Sequence, residues 1–158
     1  MFQPLNAKVE SPNYNFELSS LDDFYPGKFV SEIEKKFNKG EAMGKEGELT
    51  TQKFIIKHQR YLISAIVQEK SGEIQDVLFL LPSYFLHDVF FQSLVNRLGK
   101  QTIYKRIGEE AYYVWTKDSF RHVYSAACTI TCFPIFYAIE KSNGQNTILN
   151  KLKKTTWP

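Results

Sequence analysis

LHDVFFQSLVNRLGK (residues 86–100), then AYYVWT (111–116), HVYSAACTI (122–130) and IFYAI (135–139), are the stretches whose reading decides the fold. In the first, Phe91, Leu94 and Leu98 recur at helical spacing, and Gly99 stands where a helix stops. The three that follow are strand-sized, aromatic and rich in β-branched residues. The preceding residues repeat this order at a displacement of 61. Val30 falls on Phe91, Ile33 on Leu94 and Phe37 on Leu98. Phe54 falls on Trp115, 61–69 on 122–130, and Ile74 and Leu78 on Ile135 and Ile139. The glycine stops break the rule, since Gly40 would fall on Gln101. An internal repeat and two ordinary helix–meander units both fit. Duplication has a physical rationale, because one unit leaves a sheet edge that a second copy covers.

The fold expectation is α+β: two tandem helix-plus-antiparallel-meander repeats sharing one sheet, with the helices packed on one face. The divisions are a lead segment at 1–25, a first repeat at 26–82, a second at 83–141 and a tail at 142–158. Pro26 is expected to open the first helix, with Phe29, Val30, Ile33 and Phe37 on its buried face and Gly40 ending it. Residues 41–49, with Gly44 and Gly47 among charges, read as a loop. Three strands are expected over 53–59, 60–69 and 74–81, with Lys70-Ser71-Gly72-Glu73 as a turn. Asp88 suits a helix start, and Glu109-Glu110 suit a solvated hairpin loop beside Gly108. A short terminal helix is expected over 146–154, with Ile148, Leu149 and Leu152 on one side, and Trp157 either docks on the body or meets a partner.

The 158 residues fit one compact domain or two small ones with a shared core. A hydrophobic fraction of 43% and a charged fraction of 23% are those of a globular chain; most of the 13 Phe, 9 Tyr and 2 Trp are expected in the core, and any surplus would suit an interaction surface. The net charge of +3 is too small to argue for nucleic acid. No apolar run approaches the ~20 residues of a membrane helix. The opening Met1-Phe2-Gln3-Pro4 lacks the basic and apolar regions of a secretory leader, although a mature form with a new start methionine would look the same. Cys128 and Cys132 are too far apart on one straight strand to bond, at ~13 Å. Two buried small hydrophobes, a disulfide across a turn and a reactive thiol pair all remain open.

The order of helix, Leu98-Gly99-Lys100 stop, aromatic strand Ala111-Tyr112-Tyr113-Val114-Trp115 and further meander resembles the β-lactamase inhibitor proteins and the small lipoproteins of the outer-membrane barrel assembly machinery. The first copy, from Ile33 to Gly40 with Phe54 in the aromatic place, follows the pattern more loosely, and Pro26-Gly27-Lys28 replaces the usual Gly-Met at the helix start. The resemblance spans about residues 26–140. It implies a non-enzymatic protein-binding module of the periplasm, cell envelope or secreted space, gripping its partner through an aromatic-rich sheet face. Such a compartment would allow Cys128 and Cys132 to oxidise.

The partner-binding candidates are Tyr113, Trp115, Arg121 and Tyr137, since Tyr, Trp and Arg concentrate at hot spots. No catalytic residue, metal ligand set or cofactor motif is expected: His58, His87 and His122 are dispersed, and Gly40, Gly44 and Gly47 do not form a phosphate loop. The alternative function is a small-ligand carrier or enzyme with a pocket between helices and sheet, lined by Tyr124, Cys128 and His122. A third, single-stranded nucleic-acid binding beside Lys105, Arg106 and Arg121, is opposed by the weak charge.

Overall fold

The computed structural model describes residues 17–37, 39–58, 61–82, 87–107, 110–125, 135–144 and 146–153. After a short 3-10 helix (Leu18–Phe24) come α1 (Val30–Phe37), β1 (Glu41–Glu46), β2 (Leu49–His58), β3 (Tyr61–Lys70) and β4 (Glu73–Leu81). The same order follows in α2 (His87–Leu98), β5 (Ile103–Ile107), β6 (Glu110–Lys117), β7 (Phe120–Ser125) and β8 (Ile135–Lys141), before a last helix, α3 (Ile148–Lys153). All eight strands form one antiparallel sheet in the order β1-β2-β3-β4-β8-β7-β6-β5. Each meander pairs with the other through its last strand, so the outer edges are the two first strands.

Register aligns the side chains in rows across the sheet. One row reads Phe54, Ala65, Phe79, Tyr137, Tyr124, Tyr113, Tyr104. Leu21 and Phe24 of the 3-10 helix, Ile33 of α1, and Phe90 and Leu94 of α2 pack over this face. Phe24 lies edge-on to Phe79 at 5.6 Å, and Phe90 meets Tyr124 at 5.3 Å. Each such side chain taken out of water contributes about 1.5–3 kcal/mol. The opposite face carries the row Ile66, Leu78, Ala138, Val123, Val114, Ile103. Ile148 and Leu149 of α3 pack there, so the two repeat helices share one face and the tail helix takes the other.

Each meander has four strands where three were expected. Residues 41–49 form β1 and its turn into β2, and residues 103–107 form β5. β1 is exposed along its whole length, so it has no buried face to impose alternation on its sequence. Pro26–Phe29 also departs from the expected helix. Gly27 has φ +96°, its N–H donates to the Ile74 carbonyl at 2.8 Å, and Phe29 bridges Glu73. This extended segment leaves Phe29 exposed, and α1 begins only at Val30.

The displacement of 61 holds for the helix face and the second and third strands: Ile33 and Leu94, Phe54 and Trp115, and Ile63 and Tyr124 are all buried on one side. It fails on the last strand, where Leu78 and Ile139 lie on opposite faces. Between Gln68 and Glu69 the register slips, leaving Gln75 as an extra residue in β4. Such a bulge inverts the alternation beyond it.

Both post-helix glycines meet the strand aromatic that follows them. Gly99 takes φ +90° and donates its N–H to Val95 O, while its own carbonyl accepts the Trp115 indole N–H at 2.8 Å. Gly40 lies under Phe54, where a Cβ would stand 2.8 Å from the ring. Cys128 and Cys132, Gly108-Glu109, Trp157 and the side chains of His87, Asp88, Glu110 and Leu152 lie outside the described part.

Candidate functional site

Trp115, Tyr137 and Arg121 are 1%, 2% and 5% exposed. Trp115 and Tyr137 stand on the helix-covered face, and Arg121 stands on the other. Its Nε donates to Glu140 Oε1 at 2.8 Å, while Nη1 and Nη2 donate to the carbonyls of Ser142 and Gly144. In this arrangement none of the three offers surface to a partner. Tyr113 alone is half-buried, between Phe91 at 4.6 Å and Tyr104 at 5.1 Å. The nucleic-acid reading loses Arg121 to the same ion pair.

An open-sided cleft of about 580 Å³ lies beside these residues, at the end of the sheet where β6 turns into β7. Asp22, Tyr25 and the Pro26–Lys28 segment form one side, and Arg97 and Leu98 at the end of α2 form another. The hairpin closes it with Lys117, Asp118, Phe120 and His122. The Arg97 guanidinium is fixed by Asp22 at 2.7 Å. The rings of Tyr25 and Phe120 meet edge-on at 5.3 Å, and Tyr25 meets His122 at 5.9 Å. The hairpin turn places Asp118 and Ser119 at φ +52° and +70°, a two-residue turn that ordinarily favours Asn-Gly.

Behind this wall lies a buried polar pair. His122 Nδ1 lies 2.8 Å from the Tyr137 hydroxyl. Burial pulls the His122 pKa down to about 4, helped by the positive charges of Arg97 and Lys117, so the ring is neutral at pH 7. Burial raises Tyr25 and raises Tyr137 well above the usual phenol range. His122, Tyr137 and Tyr25 are therefore all neutral at pH 7.

A second polar cluster lies on the α3 face. Asp76 Oδ2 accepts the backbone N–H of Ile148 at 2.7 Å, and Oδ1 accepts Gln68 Nε2 at 2.6 Å. Lys151 reaches Gln68 Oε1 at 2.7 Å and Glu46 at 2.8 Å. Burial pushes Asp76 up to about 7, against those two hydrogen bonds and with the help of Glu140 opposite. Glu140 Oε2 is buried without a hydrogen-bond partner among the described residues. These contacts hold α3 to the sheet.

Of the pocket residues expected from sequence, His122 lines the cleft, Tyr124 is buried on the same sheet face outside its lining, and Cys128 is outside the described part. Tyr25, Lys28, Arg97 and Phe120 were not legible as site residues, because the fold gathers them from positions nearly a hundred residues apart. Among the described residues, no three His, Cys, Asp or Glu side chains cluster as a metal site. Among the same residues, no helix is long and apolar enough to cross a membrane.

A scan against protein-family models finds no match to this chain, and neither does a search of curated proteins. Among solved structures, it is similar to a DUF4309 family protein from Bacillus subtilis, at 11% identity and a TM-score of 0.47, over 72% of this chain and 78% of that one. It is also similar to a cysteine-rich secretory protein from Staphylococcus aureus, at 11% identity and a TM-score of 0.44, over 74% of this chain and 44% of that one. At this level of likeness neither neighbour bears on what the cleft does.

Proposed function

We propose that this protein is a non-catalytic binding protein and that its site is the cleft between the Tyr25–Lys28 segment, the end of α2 and the β6–β7 hairpin. The observation that carries this reading is a space of about 580 Å³ that gathers the Tyr25, Phe120 and His122 rings with the charged Asp22, Lys28, Arg97, Lys117 and Asp118. Its volume lies within the range usual for small-molecule sites. The test uses 1-anilinonaphthalene-8-sulfonate as a fluorescent probe of the purified chain. One saturable site is expected, weakened at least tenfold by Phe120→Ala and measurably by the exposed Lys117→Glu. Absence of saturable binding, or binding indifferent to both variants, overturns the reading.

A protein partner on the opposite face is the second reading. It comes from the inhibitor-like resemblance, which implies a cell-envelope or secreted setting and calls for two helix–meander units in one sheet. Ile55 and Leu62 are diagonal neighbours on that face, 49% and 56% exposed, beside Lys53 and Lys57. Retention of one defined envelope protein by the parent chain and its loss from Ile55→Glu/Leu62→Glu would favour this reading. Equal retention by both would exclude the patch.

A further inference from the structure

We infer that the outer edge of β5 takes an extended peptide as an added antiparallel strand, and that it selects a segment reading acidic, acidic, aromatic, aliphatic. No residue of β5 lines the cleft, so the inference stands apart from the cleft reading.

β5 ends the sheet, and among the described residues no strand lies on its outer side. The β6–β7 turn fixes which of its backbone groups face outward. Lys117 and Phe120 close a two-residue turn, and such a closing pair is hydrogen-bonded, so Lys117 points its N–H and C=O at β7. Successive residues of a strand point these groups to alternate sides, so Thr116, Val114 and Tyr112 point theirs at β5. The Thr116 N–H bears this out, donating to Thr102 Oγ1 at 3.1 Å. Ile103 and Lys105, the partners of Val114 and Tyr112, therefore point inward. Tyr104 and Arg106 point outward, each with one donor and one acceptor, at the spacing of an antiparallel ladder. The other edge of the sheet is less suited. β1 is interrupted by a register shift between Ala42 and Gly44, and bulges of this kind blunt an edge. β5 pairs with β6 without a shift.

Charge and register name the occupant. From Lys100 to Gly108 the sequence carries Lys100, Lys105 and Arg106 and no acid, and Glu109 and Glu110 come only after it. A second copy of the chain fits poorly. Matching the outward groups of Tyr104 with those of Arg106 in both copies would set Lys105 opposite its own counterpart, and like charges directly opposite destabilise a sheet. An antiparallel peptide instead sets successive residues opposite Arg106, Lys105, Tyr104 and Ile103. Acids in the first two places meet the exposed Arg106 on one face and Lys105 on the other. An aromatic third residue extends the contact of Tyr104 with Tyr113, whose rings lie 5.1 Å apart, and covers a tyrosine that is 50% exposed. An aliphatic fourth residue falls beside Ile103 on the α3 face. Cations on an edge also deter self-pairing, but that role has no use for an exposed aromatic beside them.

The experiment titrates the isotope-labelled full chain with the capped peptide Ser-Glu-Glu-Tyr-Val-Ser and follows the backbone amides of Tyr104, Lys105 and Arg106 by NMR. Saturable shifts at these amides are expected. Affinity should fall at least tenfold for Ser-Lys-Lys-Tyr-Val-Ser, and likewise for the parent peptide against Arg106→Glu. In the docked register the amides of the first Glu and the Tyr face β5, and those of the second Glu and the Val face away. N-methylation of the first pair should therefore weaken binding at least tenfold more than N-methylation of the second. No saturable shift at millimolar peptide, equal binding of the lysine peptide, or equal loss from both methylation patterns overturns the inference. A thymidine oligonucleotide that shifts the same amides at lower concentration than the peptide also overturns it, in favour of a nucleic-acid strand.

Discussion

Two buried groups oppose each other in their effect on stability against pH, and removing either one should expose the other. Asp76 has its pKa raised from 3.8 to about 7, and His122 has its pKa lowered from 6.5 to about 4. For Asp76 the folded state holds the proton more tightly than the unfolded chain. Its contribution is fully present below the unfolded pKa and is lost as pH rises through 7, in total on the order of 4 kcal/mol. For His122 the unfolded chain binds the proton more tightly. Its contribution is present above 6.5 and is lost as pH falls toward 4, on the order of 3 kcal/mol. Between about pH 4.5 and 6 one slope is negative and the other positive, each near ~1.4 kcal/mol per pH unit, and they cancel. Urea unfolding at pH 4.5, 5, 5.5 and 6 and constant ionic strength measures this directly. Relative to the parent, Asp76→Asn should tilt the profile upward with pH, and His122→Gln should tilt it downward. Each substitution also shifts stability uniformly through altered hydrogen bonds, but only the change in slope reports titration. A slope within 0.3 of the parent's, on the order of a fifth of one titrating proton's effect, would refute the reasoning for that group.

Three further outcomes follow from local geometry. Gly40→Ala would place a methyl carbon 2.8 Å from the Phe54 ring, and should destabilise by about 1–3 kcal/mol in urea unfolding. Trp115→Phe removes the indole N–H that Gly99 O accepts and should cost about 1 kcal/mol by the same assay, with the end of α2 losing amide protection first. Replacing Asp118-Ser119 by Asn-Gly relieves left-handed strain in the hairpin and should raise stability by about 1 kcal/mol, read as a higher urea midpoint.

The tandem architecture was legible because buried faces impose period on sequence. Ile33 and Leu94, or Phe54 and Trp115, repeat because each packs beneath a helix or strand of the same kind. The edge strands β1 and β5 were not legible. β1 is wholly exposed and carries no alternation, and Gly44 and Gly47 within and after it suggest a loop. The phase error at Leu78 and Ile139 arises from one bulged residue, Gln75, which leaves no compositional mark. The site was the least legible part. Aromatic enrichment drew attention to Trp115 and Tyr137, but the same residues suit a core, and what covers a face decides between the two. His122 was a pocket candidate by type alone. Tyr25 and Arg97 join it only because the 3-10 helix and the end of α2 converge on the β6–β7 hairpin.

The most direct test of the central claim is an NMR screen of the full chain against a few hundred neutral and charged fragments, mapped residue by residue. The account predicts that fragment-induced shifts concentrate on Tyr25, Gly27, Lys28, Arg97, Lys117, Asp118, Phe120 and His122. Shifts concentrated instead around Ile55 and Leu62, or no cluster of shifts anywhere on the molecule, would contradict it.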